Sequence, residues 1–248
     1  VHVAMLLHQM TPVHNQAVRT MAAAATRVAR HVRRLTQLRD LTLTHRFDEV
    51  LLHQLPYAPR RFWSLIGSAP FSRTLSHLEV SLPIDDVAAR HLLPMRNSLL
   101  CLHILNCRLL TRDGLAALAR LTRLESLDCG PNRTIDDCAM AAIVMPRLAC
   151  ITLQQWTKIT VHAVPLVLRR NARLELVDVR RCAGVAAERS AEAVRVVPRH
   201  LPGRTLRIYL PTDTPRRCVC GSMHGFNAPA SDDDEGGDAA ADDDDGSG

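Results

Sequence analysis

Two pairs of adjacent carboxylates have the type and spacing to do chemistry. Asp85 and Asp86 form one pair, and Asp136 and Asp137 form the other. Neighbouring acids can exchange protons with a substrate. Each pair also follows an isoleucine and precedes apolar residues at helical spacing, where negative charge stabilises a helix N-terminus. We therefore interpret these aspartates as helix-start residues and expect no catalytic residue among them.

A second cluster has the chemistry of metal ligands. Cys218, Cys220 and His224 form a Cys-x-Cys-x3-His triplet that could supply three ligands to zinc. Structural zinc takes four ligands, and the sequence contains no Cys-x-x-Cys pair that would complete the set. We therefore expect reduced thiols here, and neither a bound metal nor another cofactor.

The common catalytic motifs are missing from the sequence. It contains no GxxxxGK[ST] phosphate loop, no GxGxxG after a strand and no GxSxG nucleophile elbow. Its 12 histidines are scattered and form no HExxH zinc motif. We expect a protein that is not an enzyme and has no small-molecule substrate.

A repeated pattern organises the middle of the chain. The form LxxLxLxx(N/C) recurs in five segments, whose middle apolar residues are spaced 24, 25, 24 and 26 positions apart. Alternating apolar residues predict a short strand in each segment. The segments are Leu75, Leu78 and Val80; Leu99, Leu102, Ile104 and Cys107; Leu124, Leu127, Cys129 and Asn132; Leu148, Ile151, Leu153 and Trp156; and Leu174, Val177, Val179 and Cys182.

A helical piece follows each strand. Each piece begins with an aliphatic residue, and in the first four an Asp or Thr follows that can cap a helix. Apolar residues then recur three and four positions apart, so each repeat reads as a strand and a helix that bury a core only when stacked. The pieces cover residues 84–95, 110–121, 135–146, 159–170 and 185–197.

The segment LLCLHILNCRLLTRDGLAALARL (residues 99–121) resembles a leucine-rich repeat of the cysteine-containing subtype, known from substrate receptors of F-box ubiquitin ligases. The resemblance implies an α/β fold: a leucine-rich repeat solenoid, an arc with a concave parallel β-sheet and convex helices. Residues 44–74 interrupt the repeats. The position that should bond the turn backbone carries Pro83 in one unit and Trp156 in another, where the subtype has Cys or Asn.

The chain divides into three parts by composition. Residues 1–34 form an Arg-rich helical cap or arm, residues 35–210 the repeat domain, with its best repeats in 75–185, and residues 211–248 a disordered acidic tail. Nine of the 25 acidic residues lie between Asp232 and Asp245, so residues 1–230 hold 31 basic and 16 acidic groups. No run of about 18 apolar residues occurs, and no membrane contact is expected.

The positions of the cysteines within the repeat indicate the cellular compartment. Cysteines placed by the repeat, in a sequence without a secretory pattern, favour reduced thiols and an intracellular location, cytoplasmic or nuclear. A mitochondrial location is the alternative, because residues 1–39 contain six arginines and no acid. The repeat phase predicts that Cys107 and Cys182 bond the turn backbone, that Cys129 and Cys138 lie in the core, and that Cys101 and Cys150 are accessible.

Columns of equivalent residues on the sheet predict the binding surface. The column Glu79, His103, Asp128, Thr152 and Asp178 should point from the concave face into solvent, flanked by Gln154, Gln155, Arg180 and Arg181. The leading interpretation is a non-enzymatic scaffold that binds a protein partner there. Two alternatives remain: the substrate-recognition part of a ubiquitin ligase, and a ribonucleoprotein or RNA-associated component that uses the basic body.

Overall fold

The computed structural model describes residues 2–6, 14–44, 58–153, 155–179, 182–187 and 207–209, and gives side-chain positions for 23–44, 58–153, 155–179 and 182–185. The described strands are β1 (His2–Leu6), β2 (Asp40–Thr44), β3 (His77–Val80), β4 (Cys101–Ile104), β5 (Ser126–Cys129), β6 (Asn132–Asp136), β7 (Cys150–Leu153), β8 (Trp156–Lys158), β9 (Leu176–Asp178) and β10 (Arg207–Tyr209). The described α-helices are α1 (His14–Val32), α2 (Arg60–Gly67), α3 (Asp86–His91), α4 (Arg112–Leu118), α5 (Asp137–Ala141), α6 (Ala163–Arg170) and α7 (Ala183–Ala187), with short 3-10 turns at Pro70–Arg73 and Leu93–Met95.

Eight strands form one sheet in the order β1-β2-β3-β4-β5-β7-β9-β10. Every pairing in it is parallel, and each strand pairs with its neighbour along the chain apart from the short β6 and β8, which form a separate two-stranded sheet. Parallel neighbours require a crossover between them, and helices supply most of these crossovers. The expected α/β class with a parallel sheet is confirmed.

The helix starts follow the predicted capping residues in three units. The Asp85 and Asp136 side chains accept hydrogen bonds from Ala88 N and Ala139 N at 2.7 and 2.8 Å, and Thr111 Oγ1 accepts one from Asp113 N at 3.2 Å. These bonds satisfy amides that a helix start leaves without a partner. In the fourth unit, α6 begins at Ala163, later than the predicted start at residue 159.

The segment that interrupts the repeat pattern supplies core and a crossover helix. Helix α2 lies between β2 and β3 in the chain and packs against both α1 and α3. Its Phe62 and Trp63 rings are fully buried and meet edge to face, with centroids 5.1 Å apart. Residues 58–74 therefore occupy the position that the helical piece occupies in the other units. The leucine pattern does not reveal this helix because aromatic residues fill the core here.

One continuous hydrophobic cluster holds the strands and helices together. It contains the alternate strand residues, such as Leu102 and Leu127, together with helix residues such as Leu115 and Leu118. The residues between them on each strand point to the other face of the sheet. None of the described helices is long and apolar enough to cross a bilayer.

The sheet begins and ends outside the best repeats. Strand β1 pairs with β2, so the sheet starts inside residues 1–34, the range predicted as a cap or arm. Strand β10 pairs with β9 and lies inside residues 35–210, the range predicted for the repeat domain. Both pairings continue the parallel sheet.

Candidate functional site

Five polar residues form one row across the sheet, here named the polar row. Strand register makes Glu79 the partner of His103, His103 of Asp128, Asp128 of Thr152 and Thr152 of Asp178. The flanking residues of each strand belong to the hydrophobic cluster, so the polar row occupies the opposite face. The predicted column is therefore confirmed as a set of neighbours.

The expected exposure of this row is wrong for most of its length. Asp128 and Asp178 are each only 3% exposed, His103 and Thr152 are also buried, and Glu79 is half-buried. Parallel strands lie about 4.8 Å apart, so a short side chain is shielded by an in-register neighbour on each side. Both aspartates also have interaction partners. Replacing either with Lys would bury a new cation, so such a variant would test stability as much as binding.

A second row on the same face corrects the prediction for two cysteines. Cys101 and Cys150 are partners of Ser126 on either side. They were expected to be accessible, but they are 4% and 1% exposed. Their position outside the hydrophobic cluster agrees with the repeat phase. The predicted exposure is wrong because small side chains in a closely spaced row are shielded from solvent by their neighbours.

The other cysteines divide as the repeat predicts, with one exception. Cys107, Cys129 and Cys182 are buried, whereas Cys138, expected in the core, is exposed in the first turn of α5. The hydrogen bond with Cys107, together with burial, raises the pKa of the Cys129 thiol well above its usual range. Burial raises the pKa of Cys182 to about 12. These two thiols are therefore protonated and poor nucleophiles at neutral pH.

Of the four residues predicted to flank the column, the structure describes Gln155. Gln155 is half-buried and has a φ of 55°, in the left-handed region, so it belongs to the turn between β7 and β8. Gln154, Arg180 and Arg181 lie outside the described residues, as do Cys218, Cys220, His224 and the acidic tail. In the described ranges, no group of three or more potential metal ligands comes together.

The accessible end of the polar row lies on β2 and β3. Thr42 pairs with Glu79, and Asp40 pairs with His77, and all four residues are half-exposed. Sequence reasoning did not include Thr42, Asp40 or His77. The alternation of Leu41 and Leu43 with polar residues was the signal that could have added Thr42 to the row.

A hydroxyl, an imidazole and a carboxylate meet at this end. His77 Nδ1 lies 2.7 Å from Asp40 Oδ1 and 2.9 Å from Ser76 Oγ. Ser-His-Asp catalysis needs the serine on one ring nitrogen and the aspartate on the other. Because both groups contact the same nitrogen, this arrangement orients the imidazole and does not form a nucleophilic triad.

The paired aspartates perform two structural tasks. The first member of each pair caps its own helix, which confirms the helix-start interpretation. The second member reaches the next helix: Asp86 accepts hydrogen bonds from Thr111 N at 2.8 Å and from Thr111 Oγ1 at 2.6 Å. Asp137 accepts the equivalent bonds from Thr160 N, at 2.9 Å, and from Thr160 Oγ1. These links between successive helices were not predicted.

Three residues at the predicted turn-bonding position reach back to the preceding unit, whereas Cys107 Sγ donates to Ile104 O of its own unit at 3.4 Å. Asn132 Nδ2 donates to Cys107 O at 2.6 Å and Cys182 Sγ donates to Leu153 O at 3.1 Å, as expected. Trp156, although atypical of the subtype, donates its Nε1 proton to Gly130 O at 2.8 Å. Pro83 has no donor to offer.

An arginine-rich groove of about 960 Å³ opens beside α1 and α2. Arg27 and Arg30 come from α1, and Arg60 and Arg61 from the start of α2. Asp85 also lines the groove, and its Oδ2 accepts a 2.9 Å hydrogen bond from Arg60 Nε. Four guanidinium groups against one carboxylate give the groove a positive balance that favours anions.

Comparisons with known proteins add no family to this picture. No protein-family model matches the chain, and no curated protein matches it in sequence. What the chain does is therefore inferred from its own geometry and chemistry.

Proposed function

We propose that the chain is a leucine-rich repeat solenoid that acts as a non-enzymatic scaffold and binds a protein partner on the polar face of its sheet. Strand–helix units of 24–26 residues that follow one another in chain order support the solenoid. Successive helices pack in the pairs α1–α2, α2–α3, α3–α4 and α5–α6. This nearest-neighbour pattern is typical of repeat proteins.

Bonds between units also support the repeat architecture. Asn132, Trp156 and Cys182 each bond a carbonyl of the preceding unit, although their side chains have little in common. In a repeat protein, equivalent positions are expected to make the same contact even where the residue type differs. A single-layer sheet of this kind leaves one face for recognition.

The observation that carries the binding function is the polar row itself. A sheet face built for stability alone would bury apolar side chains, because a bonded buried polar group contributes only about 0.5–1.5 kcal/mol net, against about 1.5–3 kcal/mol for a buried apolar side chain. Here five adjacent strands place Glu79, His103, Asp128, Thr152 and Asp178 at the same level. We infer that these polar side chains are kept on this face because they bind a partner.

The charges of this face indicate the partner's chemistry. Glu79, Asp128 and Asp178 bring three carboxylates to the row, and Asp40 adds another at its accessible end. Complementary charge steers association and disfavours wrong partners. The partner surface should therefore be basic, and it should first meet Glu79 and Thr42, which are half-exposed.

Affinity purification with quantitative mass spectrometry tests this proposal. Glu79→Lys reverses the accessible carboxylate of the row, and Asp113→Lys makes the same charge change on an exposed residue of α4. We expect partners that the wild-type chain and Asp113→Lys recover but Glu79→Lys loses at least tenfold. Glu79→Lys should melt near the wild type, and Asp113→Lys, which reverses a charge in the first turn of α4, about 2–4 °C lower. Equal recovery by the two variants would refute binding on this face. Recovery of ubiquitin-ligase subunits would assign the substrate-recognition role that the repeat subtype implies.

A further inference from the structure

We propose that the edge of the sheet where the strands begin is a binding surface for the phosphate backbone of a nucleic-acid duplex. This edge, here named the arginine edge, consists of the segments that connect each helix to the next strand: residues 33–39, 68–76, 92–100, 119–125, 142–149 and 171–175. The inference uses a different surface from the polar row and does not depend on the proposed function.

Backbone hydrogen bonds place the six segments side by side. Ser76 N donates to Arg39 O, Leu100 N to Ser76 O, and Glu125 N to Leu100 O, each at 2.8 Å. The ladder continues from Ala149 N to Glu125 O and from Glu175 N to Ala149 O, again at 2.8 Å. At about 4.8 Å per strand, five intervals make an edge of about 24 Å.

Positive charge is concentrated on this edge. Its segments carry nine arginines, all exposed, against two acidic residues, Glu125 and Glu175. The described segments at the opposite edge, residues 81–85, 105–111, 130–136 and 155–162, carry three cationic and two acidic residues. The nine arginines are Arg33, Arg34, Arg39, Arg73, Arg96, Arg120, Arg123, Arg147 and Arg173.

Two general explanations do not account for this distribution. A compositional preference for arginine would load both edges alike. The negative end of a helix dipole attracts cations only within the last turn. Arg123, Arg147 and Arg173 lie beyond that turn, and each immediately precedes a buried leucine two residues before the next strand.

Those three arginines form the centre of the edge. Each stands two residues before a member of the backbone ladder, in three adjacent segments. Like charges beside each other on neighbouring strands are destabilising. Within the described residues none of the three forms an ion pair, and Arg123 Nη1 donates to Asn97 O at 3.1 Å. A ligand with regularly spaced negative charge would remove the repulsion.

The apolar content of the edge favours a duplex over other polyanions. Single strands need aromatic side chains on which bases stack. The exposed large apolar residues in the described ranges are Leu35 and Val144, at 37% and 47%, and neither is aromatic. Phosphate contacts need only arginine geometry and charge. A 24 Å length of duplex presents about 14 phosphate charges.

Fluorescence anisotropy with the full chain tests the inference. The probes are DNA and RNA duplexes of the same sequence, titrated between about 50 and 200 mM salt. The edge variant carries Arg123→Gln, Arg147→Gln and Arg173→Gln. Its matched control carries Arg112→Gln, Arg133→Gln and Lys158→Gln, three exposed residues at or near the opposite edge with the same total charge change.

We expect the edge variant to bind at least tenfold more weakly and to lower the slope of log K against log salt by about 2–3, as loss of three phosphate contacts requires. The control should stay within threefold of the wild type, and both should melt like it. The relative affinity of the two duplexes identifies which nucleic acid is the source of the phosphates. Equal weakening by both variants, or no duplex binding by the wild type at 50 mM salt, would overturn the proposal. Tighter binding of an acidic peptide or a single strand would overturn it in favour of that partner.

Discussion

The indole Nε1 of Trp156 donates a 2.8 Å hydrogen bond to the carbonyl oxygen of Gly130, one repeat earlier in the chain. It also lies 3.3 Å from Cys129 O, so one aromatic donor serves two neighbouring carbonyls. A Cβ on Gly130 would lie 2.2 Å from Leu105 O, so the backbone of the two turns approaches too closely for any larger residue. Trp156 and Gly130 together hold adjacent turns in register.

Trp156→Phe tests this contact. The change keeps most of the buried ring and removes the donor, which leaves the carbonyl groups of Gly130 and Cys129 buried without it. We expect a loss of about 1–3 kcal/mol in the free energy of unfolding, measured by urea denaturation. A loss below about 0.5 kcal/mol would show that the ring alone stabilises the turn.

The link between Asp86 and Thr111 predicts a second stability effect. Asp86→Ala removes two hydrogen bonds between successive helices, and we expect it to destabilise the chain by about 1–3 kcal/mol. Asp113→Ala is the control, because it removes an exposed carboxylate that accepts no hydrogen bond between helices in the described residues. Equal unfolding free energies for the two variants would contradict a structural role for Asp86.

Thiol ionisation predicts how stability depends on pH. The folded pKa of Cys182 is about 12, above the ordinary value of 9.0, because the thiol is buried. Below pH 9 both states hold the proton and this contribution is complete. Between pH 9 and 12 the unfolded state loses the proton first, so stability falls by up to about 1.4 kcal/mol per pH unit from this group.

Cys182→Ser isolates that effect. The serine hydroxyl keeps a donor for Leu153 O and does not ionise in this range. The difference in unfolding free energy between wild type and variant should therefore shift in the variant's favour as the pH rises from 9 to 12. A difference that is constant with pH would contradict the raised pKa.

The acidic tail provides a charge prediction. Nine acidic residues lie in Asp232–Asp245, and residues 1–230 carry 31 basic against 16 acidic groups. If the tail shields the body, removal of residues 228–248 should lengthen retention on heparin, most strongly at low salt. Unchanged retention would leave the tail with a solubilising role alone.

Register could be predicted from the sequence more fully than burial. Leu102 and Leu127, with near-constant spacing and strict alternation around them, determine that His103 stands beside Asp128. Their burial depends on how neighbouring side chains cover a closely spaced row, which alternation does not encode. The first turn of a short helix is equally ambiguous, and Cys138 was assigned to the core for that reason.

Parts of the two candidate surfaces also could not be predicted from the sequence. Asp40 and Thr42 were missed because they precede Leu75, where the five repeat segments begin, although Leu41 and Leu43 show the alternation. The arginine edge was missed because charge was counted over long stretches of sequence and not over the short segments between each helix and the next strand. Its concentration becomes visible only once the parallel sheet brings residues such as Arg123 and Arg147 to the same edge.

Carboxylate footprinting tests the central claim, that a partner binds the polar face, most directly. Carbodiimide coupling of an amine, read by peptide mass spectrometry, compares the free chain with the chain bound to the partner recovered by affinity purification. We expect Glu79 to be labelled in the free chain and protected in the complex, Asp113 to be labelled equally in both, and Asp128 and Asp178 to be labelled in neither. Unchanged labelling of Glu79 in a saturated complex would place the partner elsewhere and contradict the account.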